Sequence, residues 1–145
     1  MRKLFLVATV VTGLTVASSA AVLPLTSQGG EVSVTVTYTG KGAVDDKHEI
    51  LVFLFDHPTP TADSEPIASQ TTTKSGGTVA FKGVTQDPVY VVFVYDEAAN
   101  YDGQSGPPPT GAPIGSYQKD GKPVPVKPGP GAKITASFDD SVRWK

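Results

Sequence analysis

Cysteine is absent from all 145 residues. That excludes a disulfide framework. It also closes the lipid-anchored route of export, which needs a cysteine after the signal. Stability must therefore come from an apolar core. Histidine occurs twice, at His48 and His57. They flank an apolar run, and nine residue steps at about 3.3 Å set them about 30 Å apart. One zinc ion, with bonds of about 2 Å, cannot be shared across that span. Both read as surface residues at strand ends. The only asparagine, Asn100, precedes Tyr101-Asp102, so there is no N-glycosylation sequon. Basic residues show no excess: twelve Lys and Arg stand against fourteen Asp and Glu. Without a basic cluster, nucleic acid and anionic membrane surfaces are poor partners. A helical period is missing throughout, and so is any internal repeat.

The N-terminus carries a secretory pattern. Arg2 and Lys3 precede an apolar run from Leu4 to Val16, and Ala17-Ser-Ser-Ala-Ala21 supplies small residues for cleavage. The run is short for a membrane span, and no second one follows. The expected organisation is a signal peptide over 1–20, a leader over 21–30, a β-sandwich domain over 31–140 and a tail over 141–145. Cleavage removes Arg2 and Lys3, leaving ten basic against fourteen acidic residues, a net charge of −4. The mature protein is expected in the periplasm or outside the cell, with no membrane attachment. A simple signal without cysteine leans bacterial.

Strand patterns fill the remainder. Glu31 to Thr39 alternates strictly, with Val32, Val34, Val36 and Tyr38 on one face and hydroxyl residues on the other. Ile50 to Phe55 and Val89 to Tyr95 are apolar on both faces, as central strands are. Ile67 to Thr73 reads as a polar edge strand, and Ser75-Gly-Gly77 as a hairpin turn to Thr78-Val-Ala-Phe81. Lys119-Asp-Gly-Lys122 is a turn, Pro123 to Val126 at best an edge strand, and Ala132 to Phe138 a last alternating strand. The expected class is an all-β antiparallel sandwich of about seven strands. Between the central strand and the late turns lies a Gly- and Pro-rich stretch, Glu97 to Ser116, too long for a simple turn. A two-layer sandwich covers only one face of strands 50–55 and 89–95. Their outer face calls for the long loop or for a homodimer or protein partner docked on the apolar sheet face.

The alternating first strand, the two-sided second strand, Gly76-Gly-Thr-Val-Ala-Phe-Lys-Gly-Val84 and Tyr90-Val-Val-Phe-Val-Tyr-Asp96 together resemble the transthyretin-like (prealbumin-like) sandwiches, including carboxypeptidase regulatory-like modules. The resemblance covers about residues 31–138. It implies an exported, mostly non-catalytic domain used in adhesion, binding or scaffolding. The hydroxyisourate hydrolase branch of that fold ends in Tyr-Arg-Gly-Ser and uses histidines. This chain ends Ser141-Val-Arg-Trp-Lys145, so that activity is not implied.

Functional residues are expected in the long loop, because loops on a rigid scaffold carry binding sites. Asp96, Asn100, Tyr101, Asp102 and Gln104 form the candidate ligand site. Asp96, Asn100 and Asp102 are the candidate calcium ligands, since calcium takes six to eight oxygens from loops. The EF-hand pattern is not met, and Asx residues beside Gly are also ordinary turn formers. Tyr101, Tyr117 and Trp144 are candidate aromatic platforms for a sugar. Pro107-Pro-Pro109 reads as a stiffened loop more readily than as a recognition motif. Ser116-Tyr-Gln-Lys119 matches Ser-x-x-Lys but lacks the helix that motif requires, and Gly103-Gln-Ser-Gly-Pro107 misses the Gly-x-Ser-x-Gly elbow. A Lys-to-Asn or Lys-to-Asp isopeptide bond is a minor alternative. No catalytic constellation emerges, so the expected protein is a non-catalytic binding or accessory module. A small secreted hydrolase using acids of the 96–102 loop and a structural cell-envelope protein are the alternatives.

Overall fold

The computed structural model describes residues 29–145. The expected signal peptide and most of the leader lie outside the described residues. Nine strands follow in order, with no helix among the described residues. They are β1 (Gly30–Tyr38), β2 (Ile50–Phe55), β3 (Ala68–Thr72), β4 (Gly77–Val84), β5 (Tyr90–Tyr95), β6 (Ile114–Ser116), β7 (Gln118–Lys119), β8 (Lys122–Pro123) and β9 (Lys133–Phe138). One sheet has the order β4-β1-β9 and a second has β3-β2-β5-β6; β7 and β8 form a small ribbon.

The period-two pattern of β1 places Val32, Val34, Val36 and Tyr38 inward, all buried. They meet Ile50, Val52 and Leu54 of β2 and Val91, Phe93 and Tyr95 of β5 in one core between the two sheets. Tyr38 and Tyr95 stack there, with ring centroids 4.1 Å apart. Burying such side chains stabilises by about 1.5–3 kcal/mol each.

Three expectations need correction. The count is nine strands, because β6 interrupts the long loop and Lys119–Lys122 is a ribbon of its own. Asp120 and Gly121 both take positive φ there, 53° and 73°, which gives the turn the twist a two-residue hairpin needs. The sandwich is not wholly antiparallel. β9 runs parallel to β1, from Ser33 opposite Lys133 to Tyr38 opposite Phe138. The two strands are far apart in the chain, so no tight turn forces them to oppose. The Ser75–Gly77 turn is not a hairpin either. β3 pairs with β2 and β4 pairs with β1, so the chain changes sheet at that turn. The Ser75 hydroxyl secures the crossing, donating to the Tyr38 carbonyl and accepting from the Tyr38 amide, both at 2.9 Å.

The outer face of the four-stranded sheet is covered from within the chain. Leu51, Phe53, Phe55, Val94 and Ala112 form a second buried cluster, with Val92, Tyr101 and Ile114 against it. The apolar surface that called for a partner therefore lies beneath the chain's own loop. The tail helps to hold that cover. The Gly111 amide donates to the Trp144 carbonyl, Trp144 N–H to Ala112, and Ile114 N–H to Val142. Residues 142–144 thus run antiparallel beside 111–114, with Pro113 and Arg143 as an isolated bridge.

Candidate functional site

The long loop leaves β5 at Asp96, the one buried charged side chain among the described residues. Its Oδ1 accepts from the Asn100 amide at 3.2 Å and its Oδ2 from the Tyr101 amide at 3.1 Å. The carboxylate thereby folds the first turn of the loop, in which Ala99 takes a φ of 54°. Tyr101 then lays its ring toward Phe53, centroids 6.3 Å apart, and its hydroxyl donates to the Gly106 carbonyl at 3.1 Å. Burial pushes its hydroxyl pKa up, with the Asp102 charge adding to the effect. Asp102 accepts from the Ser105 hydroxyl at 2.6 Å and from the amides of Gln104 and Ser105. These bonds hold its carboxyl down to about 2, the Ser105 hydroxyl contributing most. Arg143 donates to Glu97 at 2.7 Å and to the Gly111 carbonyl at 2.6 Å, tying the two ends of the loop together.

The five expected ligand residues therefore do different jobs. Asp96 is the loop's internal staple, Tyr101 lies on the sheet and Asp102 caps a turn, while Asn100 and Gln104 are exposed. The carboxylates of the expected calcium set are turned onto the loop's own amides. Among the described residues, no three His, Asp or Glu side chains gather to hold a metal ion. Asp96 and Glu97 line a depression of about 350 Å³ together with Arg143, while Asp102 lies outside it. Tyr117 is half-buried against the main core.

A groove crosses the outer face instead. Its middle is an apolar slot of about 50 Å³ floored by Phe53, Phe55 and Tyr101 and walled by Pro60, Pro107 and Trp144. A depression of about 590 Å³ along Ala62 to Ser69 shares Ser64, Pro66, Gly103 and Gly106 with the slot. On the other side a depression of about 510 Å³ shares Pro60, Val92, Ile114 and Trp144 with it. That second depression opens between the β6 and β9 edges of the two sheets.

At one wall of the groove Ser64 joins a constellation that sequence reasoning missed. Asp56 Oδ1 lies 2.5 Å from His57 Nδ1, and His57 Nε2 lies 2.9 Å from Ser64 Oγ. The His57 ring meets Phe55 edge-on at 5.8 Å. The Asp56 carboxyl is held below its ordinary range, chiefly by the hydrogen bond to His57. A signal for this was present. The antiparallel pairing of β2 with β3 sets Leu54 opposite Ala68, so the intervening Pro-rich loop must fold back on itself. That brings a hydroxyl near residue 64 to the Asp-His pair at 56–57.

No protein-family model, curated protein or solved structure matches this chain.

Proposed function

We propose that this protein is an exported binding module, a transthyretin-like β-sandwich that takes an extended ligand along the groove over its four-stranded sheet. One observation carries the reading. The two exposed large hydrophobic side chains among the described residues are Ile67 and Val142, 42% and 54% exposed. They line the two depressions that flank the same apolar slot. A lone exposed hydrophobic is ordinary, but two on one line over an aromatic floor suit a recognition surface. The slot suits an apolar group in the middle of the ligand, and the more polar depressions suit hydrogen-bonding groups on either side.

The transthyretin-like assignment is supported by where the resembling residues sit. The alternating strand is central in one sheet, and the Tyr-containing strand is central in the other. Export is supported by the basic, apolar and small-residue order of residues 1–21. Amide chemical-shift mapping against soluble glycans and Pro-rich peptides tests the binding surface. Shifts should cluster at Ile67, Tyr101, Val142 and Trp144. Ile67→Asp and Val142→Asp should each weaken a hit about tenfold, the equivalent of about 1.4 kcal/mol. Binding that maps elsewhere, or that survives both changes, overturns the assignment.

A further inference from the structure

We infer that Ser64 is an activated serine, paired with His57 as base and Asp56 as its positioning residue, and that it reacts with short-chain acyl esters presented in the groove. This goes beyond the binding reading, and it departs from the expectation of a non-catalytic module. The geometry dictates the proton positions. A carboxylate only accepts, so Asp56 fixes the proton of His57 on Nδ1. In the neutral imidazole Nε2 then carries no proton and accepts from the Ser64 hydroxyl, which lies 2.9 Å away. Nucleophile, base and orienting acid at hydrogen-bond spacing are the arrangement that makes a serine reactive, and it recurs on unrelated scaffolds. Other polar contacts of Ser64 Oγ are the Thr61 amide, which donates at 2.9 Å, and the Thr61 hydroxyl at 3.3 Å.

Ser64 lines both the slot and the depression beside it, so a ligand in the groove reaches it. The slot sets the acyl size. A slot of about 50 Å³ with apolar walls suits a short acyl chain such as butyryl better than a long one.

In the reaction, Ser64 Oγ attacks the ester carbonyl carbon and its proton passes to His57 Nε2. The carbon–oxygen bond to the alcohol breaks, and the alcohol leaves with that proton. Water then attacks the acyl-Ser64, giving its proton to His57, and the acid departs as Ser64 takes the proton back. The Ser64 amide is committed to the Thr61 carbonyl at 3.0 Å, so it does not serve the oxyanion. Lacking such a donor costs about 10²–10³ in rate. Covalent labelling is therefore the sensitive test and rapid turnover is not expected.

The experiment treats the protein with a propyl fluorophosphonate and maps the adduct by peptide mass spectrometry. Ser64 Oγ displaces fluoride from phosphorus, and its proton goes to His57. A single adduct on Ser64 is expected, absent in Ser64→Ala. His57→Gln should slow labelling at least tenfold, and Asp56→Asn should slow it while leaving the melting temperature unchanged. p-Nitrophenyl butyrate should acylate Ser64 faster than the decanoate. No adduct on the parent protein, an adduct elsewhere, or equal labelling of His57→Gln overturns the inference. These outcomes are independent of groove binding, which the Ile67 and Val142 variants report.

Discussion

Replacing Tyr101 by Ala separates a loop that caps the sheet from a loop that only displays ligand groups. The Tyr101 ring lies half-buried over Phe53, and its hydroxyl ties the loop to Gly106. A fully buried large aromatic costs about 3–5 kcal/mol on truncation, so half-burial implies about 2. The aromatic pair adds about 1 kcal/mol, and the partly exposed hydroxyl bond about 0.5. The expected loss is about 3.5 kcal/mol. For a domain of this size each kcal/mol moves the melting temperature by about 4 °C, so the midpoint should fall by about 14 °C. Tyr101→Phe removes only the hydroxyl and should cost about 2 °C. Thermal unfolding followed by circular dichroism reads both. The loss should be accompanied by uptake of a hydrophobic dye, because Leu51, Phe53 and Phe55 lie beneath the loop. A fall of less than about 2 °C in Tyr101→Ala would show that the loop contributes no cover.

Gly103→Ala should destabilise by about 2–3 kcal/mol in urea titration. Its Cβ would sit 2.7 Å from Leu51 Cδ2 on a backbone with φ +71°, and unchanged stability would refute the tight approach of loop to sheet. Alkaline pH should unfold the protein. Burial, the largest cause in each case, raises the hydroxyl pKa of Tyr38, Tyr95 and Tyr101 above 10.0. The folded state thus favours the neutral hydroxyl. Stability is intact below about pH 10, where unfolded tyrosine is also neutral, and declines as pH rises toward the folded values; a melting temperature equal at pH 8.5 and 11.5 would contradict this. Deleting residues 142–145 should speed hydrogen exchange at Gly111 and Ile114, whose amides donate to the tail, and unchanged protection there would mean that the tail does not pair with this segment. Protein recovered from periplasm or medium should lack residues 1–20, and N-terminal sequencing that finds Met1 would refute export.

What was legible in the sequence is what alternation and two-sided apolarity encode. Val32, Val34, Val36 and Tyr38 face the core as their spacing requires, β2 is buried on both faces, and β5 is buried on its inner face and at Val94 of its outer one. The need for an outer cover followed from those two strands alone. The long loop or a second chain could supply it; the choice between them was not legible, because the covering segment is Gly, Pro and small polar residues with no period, although Tyr101 and Ile114 of that loop do pack on the outer cluster. Ala112 and Gly103 are buried there, yet neither residue type announces a core position. Parallel pairing of β1 with β9 was hidden for a related reason: side-chain alternation is the same in either direction. Asp96 and Asp102 read as ligands from composition; in the fold their oxygens also accept from amides of the loop itself, a pairing that composition does not announce. The Asp56–His57–Ser64 arrangement depends on the β2–β3 register, which brings together residues seven apart.

The same side chains that floor the groove also stabilise the domain, and this decides how its function can be probed. Phe53 and Phe55 belong to the second buried cluster, and Tyr101 packs against it. Truncating any of them opens the sheet face as well as the slot, so lost binding in such variants would carry no information about recognition. Ile67, Val142 and Ser64 stand on the rim, two of them as exposed side chains and one as a loop hydroxyl. Changes at Ile67 and Val142 fall in the range of surface substitutions, about ±0.5 kcal/mol, whereas Ser64→Ala also removes the acceptor of the Thr61 amide. The groove can therefore be tested from its rim while its floor stays intact. A rim variant that loses ligand or label at an unchanged melting temperature has lost recognition or reactivity, not fold. The converse holds for Asp96 and Gly103, whose substitution should lower stability first and affect the groove only through the loop.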